Sequence, residues 1–209
     1  KMAHKHFPVV EKILAENGIP DDFKYFAIAE SGLRNVTSSA SAKGYWQFMK
    51  PAATEMGLEI SEDVDERLHI EKSTKAACNY IKQMHRRFGS WTNVAGAYNV
   101  GPTSFARTLA EQNESSYYDI NINEETSRYL FRIIAIKEIV KNPITTLVDV
   151  RIPEEFSEKT AKGAVNIPLA KIEDNISFFK NQKTTVLFCN RGIQAEQALE
   201  ILRKNGVEN

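Results

Sequence analysis

"FAIAESGL", residues 26–33, is the stretch on which the fold of this chain turns. Phe23, Phe26, Ala27 and Glu30 fall at i, i+3, i+4 and i+7, the spacing of one helical face. Three of the four are apolar, so the fourth puts a carboxylate on a face that turns inward, where an ionised group is costly. Two outcomes are open. Either the helix frays before Glu30 and leaves it at a wet end, or the helix holds and the carboxyl sits among apolar neighbours.

Outward from that stretch, the punctuation is helical as far as residue 141. "HFPVVEKILAENG" reads as a helix stopped by Gly18, and Pro20-Asp21-Asp22 offers the next start. Pro51 and Pro102 sit where first-turn prolines belong. "ERLHIEKSTKAACNYIKQMHRRFG" predicts one long helix closed by Gly89, and "WTNVAGAYN" a short, nearly apolar one. "NEETSRYLFRIIAIKEIVKN" carries Tyr129, Ile133, Ile136 and Val140 on one stripe. No strand is expected here, so residues 1–141 are assigned as an all-α domain.

At Asn142-Pro143 the rhythm changes. "TTLVDV" and "TTVLF" are short β-branched runs, with "PEEFSEK" and "KIEDNISFF" between them as short helices and "EQALEILRKNG" after them as another. Strands alternating with helices predict a small α/β domain with a parallel sheet over residues 142–209. Val207 reads as the start of a further strand, which would leave that sheet C-terminally incomplete.

Composition excludes several classes. Of 209 residues, 42% are hydrophobic and 26% charged, as in ordinary globular domains. Lys plus Arg and Asp plus Glu are 27 each, a balance that holds on either side of residue 142, so no nucleic-acid partner is expected. No apolar run is long enough for a transmembrane segment, and "KMAHKH" has no signal-peptide core behind it. The two cysteines make no disulfide framework. Cys78 lies beside the ladder Ala77, Ile81, Met84 and Phe88 as a small packing residue. The four histidines show no paired metal spacing beyond "HKH" near the start, and neither metal nor organic cofactor is expected.

Four strings in the helical half belong together: "AIAESGL" (27–33), "AKGYWQFM" (42–49), "AGAYNVGP" (95–102) and "ETSRYL" (125–130). In this order and spacing they resemble the lytic transglycosylases of the lysozyme-like superfamily, over roughly residues 7–141. The resemblance implies a lysozyme-like fold and an enzyme that cleaves the β-1,4 bond between N-acetylmuramic acid and N-acetylglucosamine in peptidoglycan, leaving a 1,6-anhydro ring. It implies Glu30 as the catalytic acid and base, with Ser31 beside it. Trp46 and Gln47 of "GYWQ", Tyr98 and Asn99 of "AYN", and Tyr129 are then substrate-binding residues of the glycan cleft.

Elementary chemistry gives each residue type its reason. Protonating a poor leaving oxygen needs an acid that keeps its proton near neutral pH, and an apolar helix face disfavours the anion. Aromatic rings offer flat faces to sugars and polar tips to hydroxyls, while Gln47 and Asn99 offer uncharged hydrogen-bonding groups. Most glycosidases use two carboxylates. No second acid is assigned within the four strings, and Glu62, Asp63 and Asp65 lie in a charge-rich, solvated stretch. The transglycosylase route needs none, because the 6-hydroxyl of the substrate can attack the anomeric carbon. The alternatives are a wall-binding or regulatory protein that holds glycan strands without cutting them, and a hydrolytic lysozyme. A wall substrate implies the bacterial periplasm or cell envelope.

"TTVLFCNRGIQAEQALEILRKNG" places Cys189 directly after a strand and before a helix. Loop N–H groups, the helix start and Arg191 would all stabilise a thiolate. With "LVDVRIPEEF" (147–156) and "GAVNIPL" (163–169), this half resembles the rhodanese family, most closely its short periplasmic, phage-shock-type members. The resemblance implies a sulfurtransferase whose catalytic Cys189 takes sulfur from a donor such as thiosulfate and passes it to cyanide or a small thiol, with Arg191 holding substrate and Asp149 and Arg151 pairing near the loop. The sequence departs from the family pattern at the loop, where Arg191 precedes the glycine and Ala195 replaces a hydroxyl residue.

Overall fold

The structure is a computed structural model that describes residues 2–142 and 145–208; Pro143, on which the change of rhythm was placed, lies outside the described residues. The chain divides into two compact units, Lys1–Ile136 and Lys137–Asn209.

The first unit is helical. Helix α1 (Met2–Glu16) buries Phe7, Val10, Ile13 and Leu14 on one stripe and tolerates Pro8 in its second turn. Its start lies upstream of the expected "HFPVV". Helix α2 (Lys24–Ser31) follows a 3-10 turn at Asp21–Phe23, as the Pro-Asp-Asp start predicts. Gly32, at φ 64°, ends α2: its N–H and that of Leu33 bond back to Ile28 and Ala27. The helix therefore holds through Glu30 and does not fray before it. Buried Lys24 pairs with Glu11 at 2.7 Å and Asp21 at 2.6 Å, fastening α1 to α2.

Helix α3 (Lys50–Glu55) begins with Pro51 in its first turn. The expected long helix over Glu66–Phe88 is broken at His69. Glu66–Leu68 is a 3-10 turn, and His69, in extended conformation, caps α4 (Ile70–Phe88) by accepting from the N–H of Lys72. A side chain that competes for backbone donors ends one element and starts the next. Helix α4 packs against α1 and against α5 (Trp91–Val100). Helices α6 (Pro102–Gln112) and α7 (Glu124–Lys141) follow, α6 with Pro102 in its first turn. The loop between α2 and α3 makes only isolated bridges, Thr37 to Lys43 and Lys43 to Phe48.

Two glycines are required by close approach. Gly44 has φ 80°, and a Cβ there would lie 1.9 Å from the carbonyl oxygen of Arg67. Gly96, inside α5, lets the rings of Phe105 and Tyr117 come to 2.7 Å from where its Cβ would be. In both places hydrogen is the only side chain that fits.

The second unit carries a three-stranded parallel sheet in the order β2-β1-β3, with β1 at Thr145–Asp149, β2 at Val165–Asn166 and β3 at Thr184–Phe188. Leu147 faces Val186 and Asp149 faces Phe188 in register. Strand β2, two residues long, was beyond periodicity. Helices α8 (Pro153–Glu158), α9 (Ile176–Lys180) and α10 (Ile193–Lys204) fall in the expected runs. Val148, Val150, Ile167, Ile172, Phe179, Ala198 and Leu202 form the core. Val207 packs into that core, and its N–H turns back to Leu202 at 3.0 Å at the end of α10.

Candidate active site

Glu30 occupies the last turn of α2, half-buried, one turn beyond Phe26. The rings of Tyr98 on α5 and Tyr129 on α7 each meet Phe26 edge-on at 5.6 Å, so three helices converge on that turn. Tyr129 donates its phenolic hydrogen to Oε1 of Glu30. Burial pushes the Glu30 carboxyl above the ordinary carboxylate range. The Tyr129 hydrogen bond and the charge of Arg132 pull it down, Glu125 pushes it up, and the net direction is up. Burial, and then the neighbouring Glu30, hold both phenols well above their usual range, so they remain donors.

The loop between α2 and α3 is fastened to this turn. The Ser31 hydroxyl reaches the carbonyls of Tyr45 at 2.8 Å and Ala27 at 3.0 Å and accepts from the N–H of Arg34. Tyr98 donates to the carbonyl of Trp46 at 2.8 Å. Gln47, at φ 49°, uses both amide hydrogens on the carbonyls of Val36 (3.0 Å) and Gly44 (2.9 Å). What it can offer a sugar hydroxyl is its amide oxygen. Buried Arg67 underpins the loop, donating to the carbonyl of Phe48 at 3.1 Å while Asp65 holds its other edge at 2.7 and 2.8 Å. Asp65, grouped from the sequence with solvated acids, is thus committed to Arg67, which lowers its pKa to about 2 and excludes it as a proton donor. Asn99 accepts from the Thr126 hydroxyl at 2.8 Å, joining α5 to the start of α7.

Two expectations need correction. Trp46 does not present a flat face to a sugar: it is 1% exposed and its indole N–H donates to Thr74 at 2.9 Å, because α4 covers the ring. Tyr129, 2% exposed, likewise meets Glu30 with its hydroxyl and has no open ring face. Tyr98 and Tyr45 remain half-exposed, Tyr45 packing at 5.2 Å on His6. Glu125 belongs to the fourth string and is the second carboxylate that went unassigned there. Arg132, also missed, donates to the carbonyl of Ala29 at 2.8 Å. The available signal was spacing: both share the helical face of Tyr129.

A groove of about 430 Å³ in the same unit is lined by residues that include Pro51, Tyr80, Gln83, Arg87 and Thr103. Its Tyr80 ring packs 5.8 Å from that of Tyr98.

In the second unit, Cys189 follows β3 and is half-buried at the mouth of the loop that leads to α10. Asp149, fully buried, grips Arg151 through both carboxylate oxygens at 2.9 and 2.6 Å and accepts from Thr160 at 2.8 Å. Burial alone would raise its pKa, yet these bonds outweigh it and the carboxyl is held down. Arg151 in turn donates to the Asn190 side chain at 3.0 Å, and Asn190 donates to Glu155 at 2.8 Å. The residue after the cysteine is therefore clamped from two sides. Arg191 lies exposed in the same loop. Among the described residues no group of three or more His, Cys, Asp or Glu side chains is arranged to hold a metal, and no helix is long and apolar enough to cross a membrane.

Comparison with known proteins places both halves. The family model of the transglycosylase SLT domain matches residues 9–121, and that of the rhodanese-like domain matches residues 135–209. Membrane-bound lytic murein transglycosylase D of Escherichia coli (strain K12) is 26% identical over 168 residues, 76% of this chain and 37% of that protein. The chain thus spans little more than a third of the length of this curated relative. Thiosulfate sulfurtransferase PspE of Escherichia coli (strain K12) is 40% identical over 67 residues, 30% of this chain and 64% of that protein. The crystal structure of an inactive mutant of lytic transglycosylase Slt from Pseudomonas aeruginosa superposes with a TM-score of 0.53 at 18% identity, over 68% of this chain and 24% of that one, a likeness of fold. The chain belongs to the transglycosylase SLT domain family, whose lysozyme-like helical domain it joins to a small α/β rhodanese-like domain.

Proposed function

We propose that residues 1–141 form a lytic transglycosylase domain that cleaves the β-1,4 bond between N-acetylmuramic acid and N-acetylglucosamine, with Glu30 as its single acid and base. Glu30 gives its proton to the bridging oxygen as the bond to the anomeric carbon breaks. The 6-hydroxyl of the muramic residue then attacks that carbon and closes the 1,6-anhydro ring, and Glu30 takes up the hydroxyl proton. One group serves both steps because the proton it loses in the first returns in the second. The observation that carries this reading is a helix-borne carboxyl whose pKa burial raises, hydrogen-bonded to a buried phenol that stays protonated. Ser31, Gln47, Tyr98 and Asn99 serve as its substrate-binding residues, while Tyr129 holds the carboxyl and Trp46, tied to Thr74 and Tyr98, anchors the loop. The substrate puts the protein in the periplasm or cell envelope.

Purified sacculi digested by the parent and by Glu30→Gln, followed by mass analysis of the soluble products, test this directly. Anhydro-muropeptides are expected from the parent alone, with sacculus binding kept in the variant. Reducing ends would indicate a lysozyme, and no release by the parent would indicate a binding protein.

For residues 142–209 the same reasoning assigns a sulfurtransferase. The Cys189 thiolate attacks the outer sulfur of thiosulfate and releases sulfite; cyanide or a thiol then removes that sulfur and restores the thiolate. The clamp on Asn190 by Arg151 and Glu155, which fixes the loop beside the cysteine, supports this reading. Thiosulfate-to-cyanide turnover, lost in Cys189→Ser, is its test.

A further inference from the structure

We propose that Arg132 and Glu125 are positioning residues of opposite sign, set on one face of α7 on either side of Tyr129, that together fix the pH range over which Glu30 works. This rests on Glu30 being the acid.

Glu125, Tyr129 and Arg132 stand at i, i+4 and i+7, so they share one face of α7. The middle residue touches Glu30. Arg132 reaches the carbonyl of Ala29 at 2.8 Å, the residue just before Glu30, in the last turn of α2. A cation at the C-terminal end of a helix is favourably placed, and here it also ties the two helices together beside the carboxyl. Glu125 stands one turn from Tyr129 in the other direction, at i−4 on the same face, and carries a like charge to that of an ionised Glu30. Positive charge nearby favours the carboxylate and negative charge favours the acid; each residue acts on Glu30 in the direction its sign requires. Among the described residues, the phenols of Tyr98 from α5 and Tyr129 from α7 also act on Glu30, both neutral at working pH, and both pack on the apolar ring of Phe26.

The chemistry explains why both signs are useful. Glu30 must hold its proton in the first step and accept one in the second, so a pKa near the operating pH serves both. Burial drives the pKa one way only. A pair of opposed charges adjusts it from the surface of α7, and Arg132 and Glu125 are both exposed.

The test is the pH profile of muropeptide release from sacculi under rate-limiting substrate and low salt. The basic limb reports the loss of the Glu30 proton. Arg132→Gln is expected to move that limb to higher pH and Glu125→Gln to lower pH, each by about 0.2 to 0.7 of a unit, as exposed charge pairs give. The double variant should return near the parent, Arg132→Lys should restore the limb, and added salt should shrink both shifts. Limbs that stay in place, or that move in the same direction, overturn the proposal. Glu30→Gln run alongside separates the two ideas. If it retains parental activity the acid assignment itself fails, whereas an inactive Glu30→Gln with unmoved limbs in the α7 variants defeats this inference alone.

Discussion

Tyr129 on α7 donates its phenolic hydrogen to Glu30 on α2, joining side chains 99 residues apart in the chain. Phe26 braces the tyrosine from one side, and burial keeps its phenol protonated. The carboxyl thus has a partner that can donate in either of its own charge states.

Replacing that partner separates turnover from binding. A hydrogen bond to a charged group contributes about 1.5–3 kcal/mol, equal to a factor of about 10 to 160 in rate if it is made fully in the transition state. Tyr129→Phe should lower the rate of anhydro-muropeptide release by at least about tenfold while sacculus pull-down is unchanged. An unaltered rate would remove Tyr129 from the mechanism.

Acid should loosen the loop that carries Gln47. Arg67 holds Asp65 at about 2, against an ordinary 3.8. The folded pKa lies below the unfolded one, so this stabilisation is complete above about pH 4 and disappears as pH falls through about 2. The difference corresponds to about 2–3 kcal/mol. Both tryptophans, Trp46 and Trp91, lie in the first compact unit, so their fluorescence follows its unfolding alone. Urea midpoints of the parent should drop more steeply between pH 4 and 2 than those of Asp65→Asn; parallel curves would contradict the assignment.

Gly44→Ala should be among the most damaging small changes. It adds a methyl 1.9 Å from a backbone oxygen at a positive φ. Left-handed backbone costs an L-residue about 1–2 kcal/mol and overpacking about 1–3 more. A loss of roughly 3 kcal/mol, read from the same fluorescence transitions, is expected, and a loss below about 1 kcal/mol would mean the loop yields easily.

The two thiols should differ sharply in reactivity. Cys78 is fully buried, and burial raises its thiol to about 11, whereas Cys189 is half-exposed at a loop. Brief iodoacetamide treatment of the native protein near pH 7.5 should modify Cys189 alone, with Cys78 reacting only after denaturation. Peptide mass mapping reads both sites, and native labelling of Cys78 would show that its helix opens readily.

The helices of the first half are legible in apolar spacing and first-turn prolines, and the parallel sheet in two β-branched runs separated by short helices. These signals survive because a residue's face on a helix or strand depends only on its neighbours a few positions away. Glu30 is legible for the same reason: a carboxyl in the apolar stripe of α2 is anomalous wherever that helix packs. Cys189 shows itself by standing between a strand and a helix. The break at His69 is less legible, since a long helix and a capped restart share one periodicity.

What required the fold was every fact about direction and partnership. Trp46 turns under α4 to meet Thr74, 28 residues on, and no local pattern distinguishes that from a ring facing a cleft. Gln47 gives its amide hydrogens to its own loop, Asp65 belongs to Arg67, and α7 brings Tyr129 and Arg132 to a turn about a hundred residues earlier. Periodicity states which residues turn inward. It is silent on which helix they meet there, because that contact is selected by packing the whole set of faces at once.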